Sequence, residues 1–296
     1  MKLFIFSGGY DSTLVLFSVF QSGTNEKVLI TSVIPDYSFK KVEREKKARE
    51  KIIKKLAKLF PKIDYEVCEV TVSYNKRELV SPVRCLIQPI TWLNGMICAS
   101  SSHYDGTESI DVMLSYIKGD DALTHKRDLE NIIQSSFNIL FMDEWRPKTR
   151  VQFPLCYHAK EDVIAELIVN AKDLYYAATT CEDPYDINDN CGICHPCMEL
   201  KWALVKLATV SLSKRVRDFA REELHERFSF DVTISEIETK SKELKHDDID
   251  HVFMRQDNIS ENGCLNHYIT KKVQDIGDET KEDEPNVVCS VGDIMI

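Results

Sequence analysis

Short apolar runs at residues 3–6, 28–34, 65–70 and 112–117 punctuate the first half of the chain and read as buried strands. Helical periodicity fills the intervals at residues 12–21, 42–59, roughly 83–100, and 127–141. Strands alternating with helices of this length predict an α/β fold with a doubly wound, mainly parallel sheet covered on both faces. Ligands of such sheets bind beyond the carboxyl ends of the strands. Pro89 falls inside the third helical pattern, so it should break or kink that helix and project residues 88–94 toward a ligand. In the second half, residues 198–208 and 214–228 read as two helices, the first packing on the core through Trp202, Ala203 and Val205. Residues 228–234 alternate as a strand does, and 275–285 are polar enough to be disordered. The expected units are an α/β domain over 1–175, a helical lobe over 176–228 and a C-terminal extension over 229–296.

Directly after the first predicted strand, residues 7–13 spell Ser-Gly-Gly-Tyr-Asp-Ser-Thr and open the first predicted helix. Paired glycines let successive backbone N–H groups face one concavity, and a helix N-terminus adds partial positive charge, which together cradle phosphate. Ser7, Ser12 and Thr13 offer hydroxyl donors to it. Asp11 would repel phosphate, and its expected role is to hold a magnesium ion that bridges phosphates. The plainer alternative is an ordinary strand–turn–helix capped by Asp and Ser, which the placement of the whole string disfavours. No Gly-x-x-x-x-Gly-Lys-Ser/Thr string occurs, so a Walker-type loop is disfavoured as well.

Cys181, Cys191, Cys194 and Cys197 form a second constellation. Two three-residue steps with a fourth cysteine upstream are a metal-ligand spacing. Four thiolates suit tetrahedral zinc and leave no coordination position for catalysis. Gly192 and Pro196 permit the sharp turns that aim the sulfurs at one point, and His195 inside the cluster is expected to face solvent or support the ligands. Buried free thiols or a redox Cys-x-x-Cys are the alternatives. The scattered Cys68, Cys85, Cys98, Cys156, Cys264 and Cys289 read mostly as small buried apolar residues.

Charge shifts the picture in one place. The formal net charge is -10, and residues 229–296 hold 16 acidic against 7 basic side chains, so the acidity belongs to the extension. That balance argues against nonspecific nucleic-acid binding. The extension is a candidate for docking a partner protein, with a packed subdomain as the equal alternative. The longest apolar run, residues 14–20, is far too short for a membrane span, and a cytoplasmic homo-oligomer that touches no membrane is expected. Ten cysteines in an unsecreted chain point to metal and free thiols.

The string at residues 7–12 resembles the signature of the PP-loop ATP pyrophosphatases, which split ATP into AMP and pyrophosphate. With the cysteine pattern last, the chain resembles the 7-cyano-7-deazaguanine synthase family over about residues 2–204, roughly two thirds of its length. Phe153-Pro154-Leu155, then Lys160 and a helix through Asp162 and Leu167, is similar to the family's Pro-Leu, lysine and helix segment. Thr179-Thr180-Cys181 is similar to its threonine or serine before the first zinc cysteine. Three departures fall where the family reads its base. Residues 88–94 replace a Pro-Gly-Arg-Asn segment, residues 118–122 replace a long acidic and aromatic loop, and Leu200, followed by Lys201, stands where an arginine is expected.

The resemblance implies an adenine-nucleotide alpha-hydrolase-like fold, a zinc-bearing helical lobe, and ATP, Mg2+ and Zn2+ as cofactors. It implies Ser7, Gly8, Gly9, Asp11, Ser12, Thr13 and Tyr37 around the nucleotide, with Asp11 and Lys160 as catalytic residues. It places Lys40, Glu43, Trp92, Asn94, Gly119, Asp120 and Thr180 around the substrate, although Lys40 and Glu43 also fit a solvated helix with i to i+4 ion pairs. The activity implied is adenylation of 7-carboxy-7-deazaguanine, after which ammonia gives an amide, and a second adenylation the nitrile. Alternatives with the same activation chemistry are conjugation of the base to a protein amine in a bacterial antiviral system and tRNA modification. An ATP-sensing scaffold is the non-enzymatic alternative.

Overall fold

The computed structural model describes residues 1–35, 39–73, 104, 106, 109–142, 146–182, 191–230 and 289–295. Its elements are β1 (Lys2–Ile5), α1 (Tyr10–Gln21), β2 (Val28–Pro35), α2 (Phe39–Leu59), β3 (Tyr65–Ser73), β4 (Ser109–Met113), a 3-10 turn (Asp121–His125), α3 (Lys126–Leu140) and β5 (Lys148–Gln152). They continue as α4 (Lys160–Asn170), α5 (Lys172–Tyr175), α6 (His195–Val210), α7 (Lys214–Phe228) and β6 (Cys289–Met295).

The strands form one sheet in the order β5-β4-β1-β2-β3-β6, and every pairing is parallel. From β1 the chain winds outward through β2 and β3, then returns to the other side of β1 for β4 and β5. The direction of winding therefore reverses between β1 and β4, which opens a crevice above their carboxyl ends.

Side-chain alternation explains why both faces are covered. Phe4 and Phe6 enter one core with Val28 and Ile30, while Leu3 enters the opposite core with Leu29. The first core is closed by α1, α2, α4, α6 and α7 through residues such as Leu16, Ile52, Leu167, Leu204 and Phe219. The second is closed by α3, which buries Leu129, Ile133 and Phe137 at successive four-residue steps. Buried on both sides, the central strands read as apolar runs. Helices α6 and α7 thus share the first core with the sheet. Pro196 in the first turn starts α6, and the Ser213 hydroxyl caps α7 by accepting the Val216 N–H at 3.4 Å.

Several expectations are corrected. The fourth strand is Ser109–Met113, earlier than 112–117: its last ladder bond runs from the Leu114 N–H to the Gln152 carbonyl, and the chain then turns at 117–120. β5 was not foreseen, since Lys-Thr-Arg-Val-Gln is mostly polar. β6 was not foreseen either, because its apolar residues are interrupted by Gly292 and Asp293 within an acidic stretch. Phe228 ends α7, and Ser229 adopts left-handed backbone with φ 47, so a strand does not begin there. Ala203 and Val205 pack on the core as expected, but Trp202 is 50% exposed. The expected helix at 83–100, Pro89, and residues 231–288 of the extension lie outside the described residues. Among the described residues no helix is long and apolar enough to cross a membrane.

Candidate functional site

The glycine string lies at the β1–β4 crevice. Phe6 gives its N–H to the Thr31 carbonyl at 2.8 Å, which holds the loop to the sheet before it turns into α1. Gly8 has φ 84, and a Cβ there would lie 3.1 Å from Arg49 Cγ. A Cβ on Gly9 would lie 3.3 Å from Ser7 Oγ and 3.6 Å from the Thr179 carbonyl oxygen. A side chain at either position would press on its neighbours, and at Gly8 it would also be strained by the backbone. The Ser7 hydroxyl accepts the Gly9 N–H at 3.2 Å, and the Ser12 hydroxyl donates to the Gly9 carbonyl at 3.1 Å. Thr13 Oγ1 and Asp11 Oδ1 are buried without a hydrogen-bond partner among the described residues. In a folded chain such orphans call for a missing ion, water or ligand.

Asp11 Oδ2 does have a partner, Lys160 Nζ, at 2.7 Å, bringing together two residues 149 positions apart. Lys160 is the first residue of α4, whose start is fixed by the Ala159 N–H bonding Asp162 Oδ2 at 2.7 Å. The turn after β4 joins the same site. Lys118 gives its N–H to the His158 carbonyl, and Asp120 Oδ2 accepts the Ile117 N–H at 2.7 Å. Burial raises the Asp120 carboxyl above its ordinary range; the Ile117 hydrogen bond opposes this, the Asp11 charge adds to it, Lys160 opposes it and Glu199 adds to it. Asp11, Asp120 and Lys160 thus share one electrostatic field. Gly119, with φ 101 and open space where a Cβ would be, makes the turn to Asp120.

On its other side the loop is pinned to the cysteine cluster. The Thr179 N–H donates to the Gly8 carbonyl at 3.0 Å, and half-buried Thr180 then leads to Cys181. The sulfurs of Cys181, Cys191, Cys194 and Cys197 all lie within 4.8 Å of one another. Zinc–sulfur bonds of ~2.3 Å in a tetrahedron separate the sulfurs by about 3.8 Å, so the cluster fits such an ion with small adjustments. Backbone N–H groups already point at the sulfurs, from Cys191 to Cys181 at 3.4 Å and from Cys194 to Cys191 at 3.3 Å. Burial opposes ionisation of Cys191, but the N–H groups of Ile193 and Cys194 and the thiols of Cys194 and Cys181 outweigh it and bring the thiol down to about 7.

Helix α2 presents two faces. Lys40 and Glu43 are exposed, and the structure does not direct them to the loop. Lys41, Arg44 and Arg49, with half-buried Glu45, form the inner face instead. Arg44 donates to the Cys181 carbonyl, Lys41 lies 3.6 Å from Glu182, and Arg49 pairs with Glu69 at 3.1 Å. Burial raises the Glu45 carboxyl, against the pull of Lys41, Arg49 and Arg44. A signal was present: stepping back by three and four from Leu56 and Ile52 reaches Arg49, Ala48, Glu45, Arg44 and Lys41. Tyr37, Trp92 and Asn94 lie outside the described residues.

A last contact set had no sequence signal. Tyr10, within the glycine string, is 1% exposed, and its hydroxyl accepts from Arg227 at 3.2 Å. Arg227 Nε pairs with buried Glu223 at 2.6 Å, and the Tyr175 hydroxyl donates to Glu223 at 3.0 Å. The Tyr10 and Tyr175 rings pack 5.2 Å apart. Through this network α7 braces the start of α1.

Fold and site together define an α/β protein with a parallel sheet, a crowded glycine loop at the reversal point of that sheet, and an adjoining four-cysteine cluster able to hold a metal such as zinc. No family model, curated protein or solved structure matches the chain.

Proposed function

We propose that the protein is an ATP-dependent ligase of the PP-loop type that activates a carboxylate by adenylation. The observation that carries this reading is the position of Asp11: Oδ2 is held by Lys160 at 2.7 Å, and Oδ1 is buried and unsatisfied at a helix start beside paired glycines. Asp11 Oδ1 and Thr13 Oγ1 suit a magnesium ion, which, when bound, neutralises charge on the phosphates. The substrate class is a carboxylated 7-deazaguanine, supported by the order of the glycine string, Lys160 and the cysteine cluster along the chain.

A carboxylate oxygen of that substrate attacks the α-phosphorus of ATP, and the bond to pyrophosphate breaks. An amine then attacks the acyl carbon, and AMP and a proton leave as the amide forms. Repetition on the amide oxygen, with loss of AMP and a proton, gives the nitrile. Lys160 is placed to neutralise charge at the phosphates, the glycine N–H groups orient them, and the cysteine cluster fixes the loop through Thr179. No side chain acts as a covalent nucleophile.

A second reading, in which the amine belongs to a protein, is favoured by residues 118–122, which form a short turn where the family has a long loop. Mass spectrometry on the protein with magnesium, ATP, 7-carboxy-7-deazaguanine and ammonia tests both. Expected are AMP together with an amide or nitrile, both lost in Asp11→Ala. A mass increase on an added protein supports conjugation, and absence of AMP under every condition refutes the ligase.

A further inference from the structure

The outer face of α2 carries a row of cations that neither the fold nor the proposed activity uses. Helix α2 has ten Lys or Arg and three Glu, a net of +7 in a chain whose total is -10. At 3.6 residues per turn, Lys47, Lys51, Lys54 and Lys58 fall within an arc of about 60°, and at ~1.5 Å per residue they span about 17 Å. All four are exposed.

The inner cations of this helix have acidic partners: Lys41 pairs with Glu45 and Glu182, and Arg49 with Glu69. At the flanks Lys46 reaches Glu69 and Lys55 reaches Asp173. Among the described residues, Lys47, Lys51, Lys54 and Lys58 have no ion-pair partner, and Glu43 and Glu50 lie to one side of their arc. A helix that only needs solvation interleaves its charges. Here cations follow one another at four, three and four residues, where each like-charge pair weakens the helix.

We propose that this ridge docks the phosphate backbone of a nucleic acid. The row is longer than the ~12 Å width of a duplex major groove, so it can reach phosphates on both edges of that groove. Even spacing on a rigid helix suits an equally regular polyanion better than the irregular carboxylates of a protein surface. The arc holds no aromatic or apolar residue, so it offers neither a base-stacking platform nor an anchor for a lipid surface. Lysine ammonium groups on flexible stems bind phosphate without reading sequence. The acidity that argues against nucleic-acid binding belongs to residues 229–296; residues 1–228 hold 31 basic and 32 acidic side chains, and within that near-neutral balance α2 concentrates its cations. The glycine loop touches the opposite, inner face of α2, at Glu45 and Arg49.

Fluorescence anisotropy of the full chain with labelled DNA and RNA duplexes of about 20 base pairs tests this without reference to ATP chemistry. Four phosphate contacts give a log–log salt slope of about -3.6, so affinity should fall about 150-fold between 50 and 200 mM salt. The variant K47Q/K51Q/K54Q/K58Q keeps helix propensity. With an unchanged Tm, it should bind at least about 100-fold more weakly at low salt and lose most of the slope. Lys148→Gln, at the far edge of the sheet, should bind as the parent does. No saturable binding by the parent, equal affinity and slope in the quadruple variant, or tighter binding of polyglutamate or phosphatidylserine vesicles would overturn the proposal.

Discussion

Glu223→Gln is the sharpest test of how α7 supports the glycine loop. Glu223 is 2% exposed and accepts from Arg227 at 2.6 Å and from Tyr175 at 3.0 Å. Glutamine keeps the volume and an acceptor for Tyr175, but it removes the charge that balances Arg227. Breaking a buried pair from one side costs about 3–5 kcal/mol. Arg227 retains 20% side-chain exposure, the Tyr10 hydroxyl at 3.2 Å and the Tyr175 ring at 5.4 Å, and these compensate in part. The expected loss is therefore about 2–3 kcal/mol, which at ~2–4 °C per kcal/mol lowers Tm by about 4–12 °C. Thermal unfolding followed by near-UV circular dichroism measures it. The decisive step is Arg227→Met in the Glu223→Gln background. If the cost is an uncompensated charge, the double variant regains stability relative to Glu223→Gln. A Tm within about 1 °C of the parent for Glu223→Gln, or additive losses in the double variant, would refute the reasoning.

Gly8→Ala forces a side chain into φ 84 and 3.1 Å from Arg49 Cγ. It should cost about 1–2 kcal/mol from the backbone alone and abolish the rise in Tm on adding magnesium ATP, read by differential scanning fluorimetry. Asp120→Asn should stabilise the protein at about pH 8. The folded state holds the Asp120 proton more tightly than the unfolded chain, so the carboxylate costs stability above its raised pKa, and that cost fades as pH falls through it toward 3.8. Melting curves should show the gain at alkaline pH and its loss in acid; an unchanged or lower Tm at about pH 8 counts against burial as the cause. Cys194→Ser should reduce bound zinc from about one equivalent per chain to a small fraction by elemental analysis. It should also lower Tm by several degrees, because the ion's binding energy is folding energy.

What could be read in the sequence follows the range over which each signal acts. The glycine string and the cysteine cluster are local: their geometry is set by turns within a few residues, so spacing alone placed Gly8, Gly9, Cys191, Cys194 and Cys197. Strands β1 and β2 were legible as apolar runs buried on both faces, and β3 through the alternation that buries Cys68 and Val70. β5 was not, since Lys148, Thr149 and Arg150 sit on an edge strand where such residues are tolerated, and Arg150 reaches back to Asp111 at 2.7 Å. The pairs Asp11–Lys160 and Tyr10–Arg227 join positions 149 and 217 residues apart, and no local pattern encodes such contacts. The resemblance singled out Lys160, whereas nothing singled out Arg227. Helix α2 shows the intermediate case. Its charges look uniform along the sequence, yet Ile52 and Leu56 fix which side faces the core. That angle alone separates Arg44 and Arg49, committed to the loop and the cysteine lobe, from Lys47, Lys51, Lys54 and Lys58, which the fold leaves for another molecule.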